Sequence, residues 1–338
     1  MRSDQPSRPR EPGQVEENGP WIGSSPQRLA QRYYDATTWI YRWAWGSSFH
    51  FSPLRKNETR RASIRRYEEQ LATALDARPG LRCLDLGCGV GGPALTIQSL
   101  TKARIVGLNS NLGQLRLLER SLSRRKQSSV ALIGADFAQL PFRENAFDRA
   151  YAFEALCHAV DLDIVFREIF RVLSPGGVLG FSEWCLTEKF DPLDEAHRAL
   201  EQAIERSYGI VRLRPWAEWQ SAIRNAGFHI VETVDRAQLE GEADARDPWY
   251  RALLPRDQTF DSFARKTNVR TLAEVGLRLA ECCRLAPRGT TSTVRQLREG
   301  TMALVEAGRR EVFTPMRFVL ATKVPAEVAT HQGIIVPS

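Results

Sequence analysis

The chain has 338 residues, 43% hydrophobic and 26% charged, enough to bury one large α/β core with an elaborated lid or two smaller domains. Its net charge of +7 comes from arginines spread along the chain, not from a basic block interleaved with aromatics, so nucleic-acid binding is not expected and only weak attraction to a membrane surface is. No apolar run approaches the ~20 residues of a membrane span, there is no signal peptide, and six cysteines without a CxxC pair or a histidine at metal spacing argue against zinc and against a disulfide framework, which predicts a cytoplasmic protein without a metal.

Residues 1–25 are rich in Pro, Gly and charge and read as a disordered tail. The stretch RYYDATTWIYRWAWGSSFHFSP (32–53) follows. Its rings at 33, 34, 39, 41, 43 and 45 are too dense for one helix face. Some must meet a second surface, a ligand or a membrane, unless the helix is clamped between two parts of the protein. Residues 59–77 read as a charged helix, and LRCLDLGCG (81–89) as a buried strand running into a turn.

From there strands and helices alternate: helix 91–101, strand 103–109, helix 112–125, strand 130–136, strand 147–155, helix 162–173, a turn at Pro175-Gly176-Gly177, and strand 178–184. Such alternation predicts a doubly wound, mostly parallel α/β sheet with right-handed crossovers. Beyond residue 190 helices dominate, at 191–208, 215–226, 258–285 and 291–308. Strands 228–235 and 316–324 complete the sheet, and the helical stretch between them is placed over the site.

The strongest local signal is LDLGCGVGGP (84–93). Asp85 sits near the end of a strand, and Gly87, Gly89 and Gly91 follow at GxGxG spacing and lead into the helix expected at 91–101, which carries Pro93. Glycines permit a tight turn and close approach of a ligand, and the helix start offers free N–H groups. The spacing differs from the GxGxxG of dinucleotide dehydrogenases. It resembles the first motif of the large α/β methyltransferase class, in which the loop holds the amino-acid part of S-adenosylmethionine. That resemblance places Cys88 in the loop and makes three further strand ends candidates. Asn109, with Asn111 and Gln114 just beyond it, stands where a ribose partner is expected. Asp136 can accept from the adenine amino group while Phe137 covers the ring. Glu154 closes the fourth strand.

The aromatic segment YYDATTWIYRWAWGSSFHF and LDLGCGVGGPA, GLNSN, FEALCHAVD, EWCLTEKFDP and FTPMRFVLATK together resemble the sterol 24-C-methyltransferase family over about residues 33–324. The resemblance implies a Rossmann-like class I methyltransferase fold with helical lid elements at both ends. It implies an acceptor-binding segment at 26–78, a cofactor core at 79–188, a helical substrate region completing the sheet at 189–326, and a tail at 327–338. It implies methyl transfer from S-adenosylmethionine to a side-chain alkene of a sterol or related terpenoid, a carbocation, and loss of a proton to a base, without a metal. Tyr33, Tyr34, Trp43, Trp45 and Phe49 then form an aromatic wall for the cation, with Tyr67 and Trp184 also on the acceptor side. Glu58, Glu154, Glu183 and His158 are the candidates for electrostatic stabilisation and proton removal, although His158 reads equally well as a satisfied core histidine. Peripheral association with an endomembrane and homo-oligomers are further implications.

The departures from the family pattern fall on the acceptor side. Leu156 and Val160 replace a Thr and a Pro, Ser182 replaces a Tyr, Tyr67 stands where the family carries His, and the acid expected after Glu205 is missing from Arg206-Ser207-Tyr208-Gly209. The cofactor loop is intact. This pattern predicts a divergent paralogue whose acceptor differs from a housekeeping sterol. The alternative from the same residues is O- or N-methylation of another hydrophobic small molecule, with His158 or Glu183 as base.

Overall fold

The structure is a computed structural model that describes residues 25–125, 129–238, 248–254, 277–278, 281–283 and 289–324. Its frame is a seven-stranded sheet of β1 (Arg82–Leu86), β2 (Arg104–Asn109), β3 (Val130–Gly134), β4 (Phe147–Phe153), β5 (Leu173–Leu186), β6 (His229–Asp235) and β7 (Phe313–Thr322). The spatial order is β3-β2-β1-β4-β5-β7-β6. The first five strands are parallel, and β7 runs antiparallel to both β5 and β6.

The sheet is buried on both faces, and the period-two rule sorts its residues. Leu84 and Leu86 of β1, Ala150 and Ala152 of β4, and Leu179 and Phe181 of β5 enter one core. Cys83, Tyr151 and Val178, the intervening residues, enter the other. The first core packs against α5 (Leu162–Val172) and α7 (Trp216–Asn225), through Val165, Phe166, Ile169, Trp219 and Ile223. The second packs against α2 (Arg60–Ala74), α3 (Gly92–Thr101) and α4 (Leu112–Arg125), through Leu71, Ile97 and Leu118. In α5 the buried residues recur at 162, 165, 166, 169 and 172, the stripe of a helix with one wet face.

Side-chain caps set several helix starts. Thr59 accepts from the Ala62 N–H, and Asp161 from that of Ile164. Asp194 accepts from both Ala196 and His197, so α6 (Glu195–Tyr208) begins there rather than at the expected 191. The expected turn at Pro175-Gly176-Gly177 lies inside β5. Gly176 donates to the Lys323 carbonyl and Lys323 to that of Gly177, so strand pairing continues past the proline. The strands expected at 81–89, 130–136 and 147–155 end earlier, at Leu86, Gly134 and Phe153, which leaves the chemically interesting residues in the loops beyond them.

Two helices cover the carboxyl ends of the parallel strands. The aromatic segment forms α1 (Pro26–Ala44), and α8 (Thr290–Arg309) follows the expected 291–308. The tails expected at 1–25 and 327–338 lie outside the described residues except for Ser25, and so does most of the helix expected at 258–285.

Candidate active site

The sheet order reverses between β1 and β4, and ligands of open α/β sheets bind at the carboxyl ends of the strands beside such a switch point. The glycine loop stands there. Gly87 and Cys88 both donate to the Leu108 carbonyl at 2.8 and 2.9 Å, which folds the loop back onto β2. Gly87 has φ +79°, and a Cβ on it would lie 2.4 Å from the Ala155 Cβ. A Cβ on Gly89, at φ +54°, would meet nothing within 4 Å, so this part of the loop presents bare backbone to open space. Gly92 donates to the Ser47 carbonyl at 3.0 Å, tying the start of α3, with Pro93 in its first turn, to the segment after α1.

Asp85 is 2% exposed, and its Oδ2 makes no hydrogen bond of normal geometry among the described residues, with the buried Tyr151 hydroxyl close beside the carboxyl. Burial pushes its carboxyl up to about 8, with nearby Glu68 adding to the rise. A buried carboxyl with an unused oxygen beside a glycine cradle fits a ligand that brings an ammonium group. These residues therefore fit the methionine part of S-adenosylmethionine. Past β3, Asp136 is exposed and accepts from the Ala138 N–H at 2.8 Å, while Phe137 is half-buried against the core.

The other three expected cofactor residues form a network that the sequence does not announce. Asn109 donates to Gln114 Oε1 at 2.8 Å and accepts from the Asn111 N–H at 3.1 Å. Gln114 in turn donates to Thr38 Oγ1 at 3.0 Å, and Asn111 to Asp35 Oδ1 at 2.9 Å. Thr38 and Asp35 belong to α1, so these amides dock α1 against the end of β2. Both ends of the Asn109 amide are engaged within the protein.

On the other side of α1 lies a cavity of about 220 Å³. Tyr33, Tyr34 and Tyr41 line it from α1, and Trp45, Phe49 and Phe51 from the chain after α1. Glu154, Cys157, His158 and Trp184 come from the β4 and β5 ends. Tyr208, Ile210, Leu253, Leu297, Thr301 and Leu304 come from the C-terminal half. Glu154 precedes Ala155, which packs on Gly87, so the cavity and the glycine loop are neighbours.

Glu154 sits at φ +49°, a conformation that costs free energy for any residue with a Cβ. Its Oε1 accepts from the Phe51 N–H and its Oε2 from the Trp184 indole at 2.7 Å. Burial pushes its carboxyl well above the usual range, with the neighbouring Glu183 adding to the rise. His158 donates from Nδ1 to the Gly209 carbonyl at 3.1 Å, so Nε2 is the unprotonated nitrogen and accepts from the Tyr34 hydroxyl at 3.2 Å. Burial lowers its pKa to about 4, which keeps it neutral near pH 7. Tyr33 and Tyr41 share a hydrogen bond between their hydroxyls.

Four expected site residues stand elsewhere. Trp43 is 87% exposed, on the side of α1 away from the cavity. Glu58 is clamped by Arg66 through two bonds of 2.9 Å, and that guanidinium holds its carboxyl below the usual range. Tyr67 is buried behind the site and donates to Ser182 Oγ at 2.8 Å. Glu183 accepts from the N–H groups of Ala155, Leu156 and Cys157 and shapes the turn that carries His158, without lining the cavity itself. Conversely, Tyr208, Thr301 and Leu304 had no local signal, because α6 and α8 reach the cavity only by packing across the strand ends.

Comparisons with known proteins agree with this geometry. A family described as "Methyltransferase domain" matches residues 84–181, and one described as "Sterol methyltransferase C-terminal" matches residues 260–325. The cycloartenol-C-24-methyltransferase of Arabidopsis thaliana is 37% identical over 296 residues, 87% of either chain. The sterol 24-C-methyltransferase of Candida albicans is 36% identical over 307 residues, covering 88% of this chain and 80% of that one. Among solved structures, mycolic acid cyclopropane synthase CmaA1 complexed with SAH and CTAB superposes with a TM-score of 0.68 at 16% identity, over 88% of this chain and 98% of that one. That likeness shows the class I methyltransferase fold. The chain belongs to the sterol methyltransferase family and is an S-adenosylmethionine-dependent methyltransferase.

Proposed function

We propose that this enzyme methylates a side-chain alkene carbon of a sterol or related triterpenoid. The cavity carries this reading: an aromatic enclosure beside the glycine loop, holding one buried carboxyl and one neutral histidine. At about 220 Å³ it is smaller than the roughly 300–1,000 Å³ of typical small-molecule pockets, so it suits the end of a large ligand better than the whole of one.

The cofactor, when bound, supplies an electrophilic methyl group. Asp85, the Gly87–Gly91 loop, Asp136 and Phe137 are the residues we assign to holding it. Residues 26–78 carry the acceptor-facing wall. With the cofactor bound, the alkene π electrons would take that methyl carbon as its bond to the sulfonium sulfur breaks, the electron pair staying on the departing thioether, and a cation would remain on the neighbouring acceptor carbon. The faces of Tyr33, Tyr34 and Trp184 stabilise that cation, at roughly 2 kcal/mol for a desolvated contact. The Glu154 carboxyl, fixed by Phe51 and Trp184, holds its oxygen dipoles toward that cation, and the nearby positive charge favours its ionised form. The proton shed to form the product alkene passes to His158 Nε2, directly or through the Tyr34 hydroxyl.

Carbon is favoured over oxygen or nitrogen as the methylated atom by the lining. A heteroatom acceptor needs a polar partner to orient it, whereas the polar groups here are largely bonded to one another. The test is transfer of labelled methyl to a panel of Δ24 sterols, triterpenoids and linear terpenes, with products identified by mass spectrometry and NMR. A carbon-methylated product is expected. A methyl ether or amine as the product would overturn the reading.

A further inference from the structure

We propose that the outward stripe of α1 is a docking surface for an anionic lipid bilayer, so that one helix forms the wall of the cavity on one side and the membrane contact on the other. Trp39 is 43% and Trp43 87% exposed, and they lie one turn apart. Arg28 and Arg32 continue the same stripe toward the N-terminus, and Arg42 flanks it. These arginines are exposed, and their side chains make no ion pair or hydrogen bond among the described residues. Asp35, the acid on this side, accepts from the Asn111 amide.

Two adjacent exposed indoles are costly in water and are the side chains that settle at the headgroup level of a bilayer. Arginines beside them are what an anionic headgroup layer attracts. A second copy of the chain fits this stripe less well, because a symmetric contact would bring the same arginines together. The opposite side of the same helix presents Tyr33, Tyr34 and Tyr41 to the cavity, with Ile40 and Ala44 also on its lining. An apolar acceptor leaving the bilayer beside α1 has only the helix between it and the site. That route rests on the acceptor reading above, while the docking itself does not.

The test uses the full chain with vesicles of phosphatidylcholine, with and without phosphatidylserine, followed by co-sedimentation and tryptophan emission. Wild-type protein is expected to bind the phosphatidylserine vesicles with a blue shift, and less tightly as salt is raised. Replacing three arginines (R28Q/R32Q/R42Q) is expected to lower partitioning about a hundredfold, at about fivefold per charge. The double variant W39A/W43A is expected to lose at least about tenfold on both vesicle types, while cofactor binding by calorimetry stays as in wild type. Transfer to an acceptor in detergent micelles is expected to survive in W39A/W43A, and transfer from vesicles to fall. Docking is overturned if wild-type protein ignores both vesicle types, if both variants bind as wild type does, or if W39A/W43A instead abolishes a concentration-dependent dimer. Absence of micellar transfer in the wild type would count against the acceptor reading alone.

Discussion

Tyr67 donates its phenolic hydrogen to Ser182 Oγ at 2.8 Å, a buried contact that joins α2 to β5. Both are positions where the resemblance drawn from the sequence implies another residue, His at the first and Tyr at the second. In sequence they are two separate changes, 115 residues apart. In space they are one contact: a phenol from α2 meets the hydroxyl on β5. The pair also abuts the site, since the Ser182 carbonyl accepts from the Glu154 N–H at 2.9 Å. Y67F and S182A are each expected to cost about 1 kcal/mol, measured by denaturant unfolding. The double variant is expected to cost less than the sum of the two, by about 1 kcal/mol, because once either partner is gone the bond cannot be lost again. Strict additivity would show that the contact contributes nothing.

Asp85 links the cofactor site to pH. Its carboxyl, pushed up to about 8, lies above its unfolded value, so the native state holds a proton that the unfolded state has lost. Stability from this group therefore falls as pH rises from about 4 to about 8 and then levels off. A ligand ammonium at Asp85 favours the ionised form. Cofactor binding at pH 7 is therefore expected to release a proton, and affinity to rise toward pH 8. Calorimetry in buffers of different ionisation enthalpy reads that proton directly. D85N should bind more weakly and release none.

His158 behaves in the opposite sense. Its native pKa of about 4 lies below the ordinary 6.5, so the unfolded state takes up the proton first. Stability is lost as pH falls from about 6.5 to about 4, by on the order of 3 kcal/mol at full protonation. In H158Q that acid-side slope should flatten. Turnover in H158Q is expected to fall by about 10²-fold or more, with cofactor affinity unchanged. Y34F, which removes only the hydroxyl bonded to Nε2, should show a smaller loss in kcat of the same kind.

Glu154 is held by two donors in a strained backbone conformation, which fixes where its two acceptor oxygens stand beside the cavity. E154Q keeps the shape and one acceptor oxygen. We expect kcat to fall by about 10²-fold, with the KM for S-adenosylmethionine little changed. A loss confined to KM would assign Glu154 to binding alone.

Glu183, whose carboxyl is pushed up to about 7 by burial, acts through the 155–157 turn. E183Q places an amide nitrogen against backbone donors and leaves one or more N–H groups unpaired. A loss of about 2 kcal/mol in unfolding free energy is expected, together with lower kcat. A catalytic role without a structural one would lower kcat and leave stability intact.

By itself the sequence determined what local chemistry can encode. Apolar runs bounded by turn residues marked the strands, their alternation with helical segments marked the parallel sheet, and Asp85 with the GxGxG loop marked the cofactor cradle, because each depends on neighbours a few residues away. Tertiary structure decided which of the candidate side chains meet. Trp43 and Trp45, two residues apart, lie on opposite sides of the helical turn, and the docking of α1 over the strand ends decided which side meets solvent and which the cavity. Of the three candidate carboxylates, Glu58 is neutralised by Arg66 and Glu183 is spent on a backbone turn, which leaves Glu154 at the cavity. Asn109, Asn111 and Gln114 dock α1, and Tyr208 and Thr301 arrive from helices distant in sequence. Such assignments follow from long-range docking of helices over the strand ends, and no periodicity or spacing within a segment carries that information.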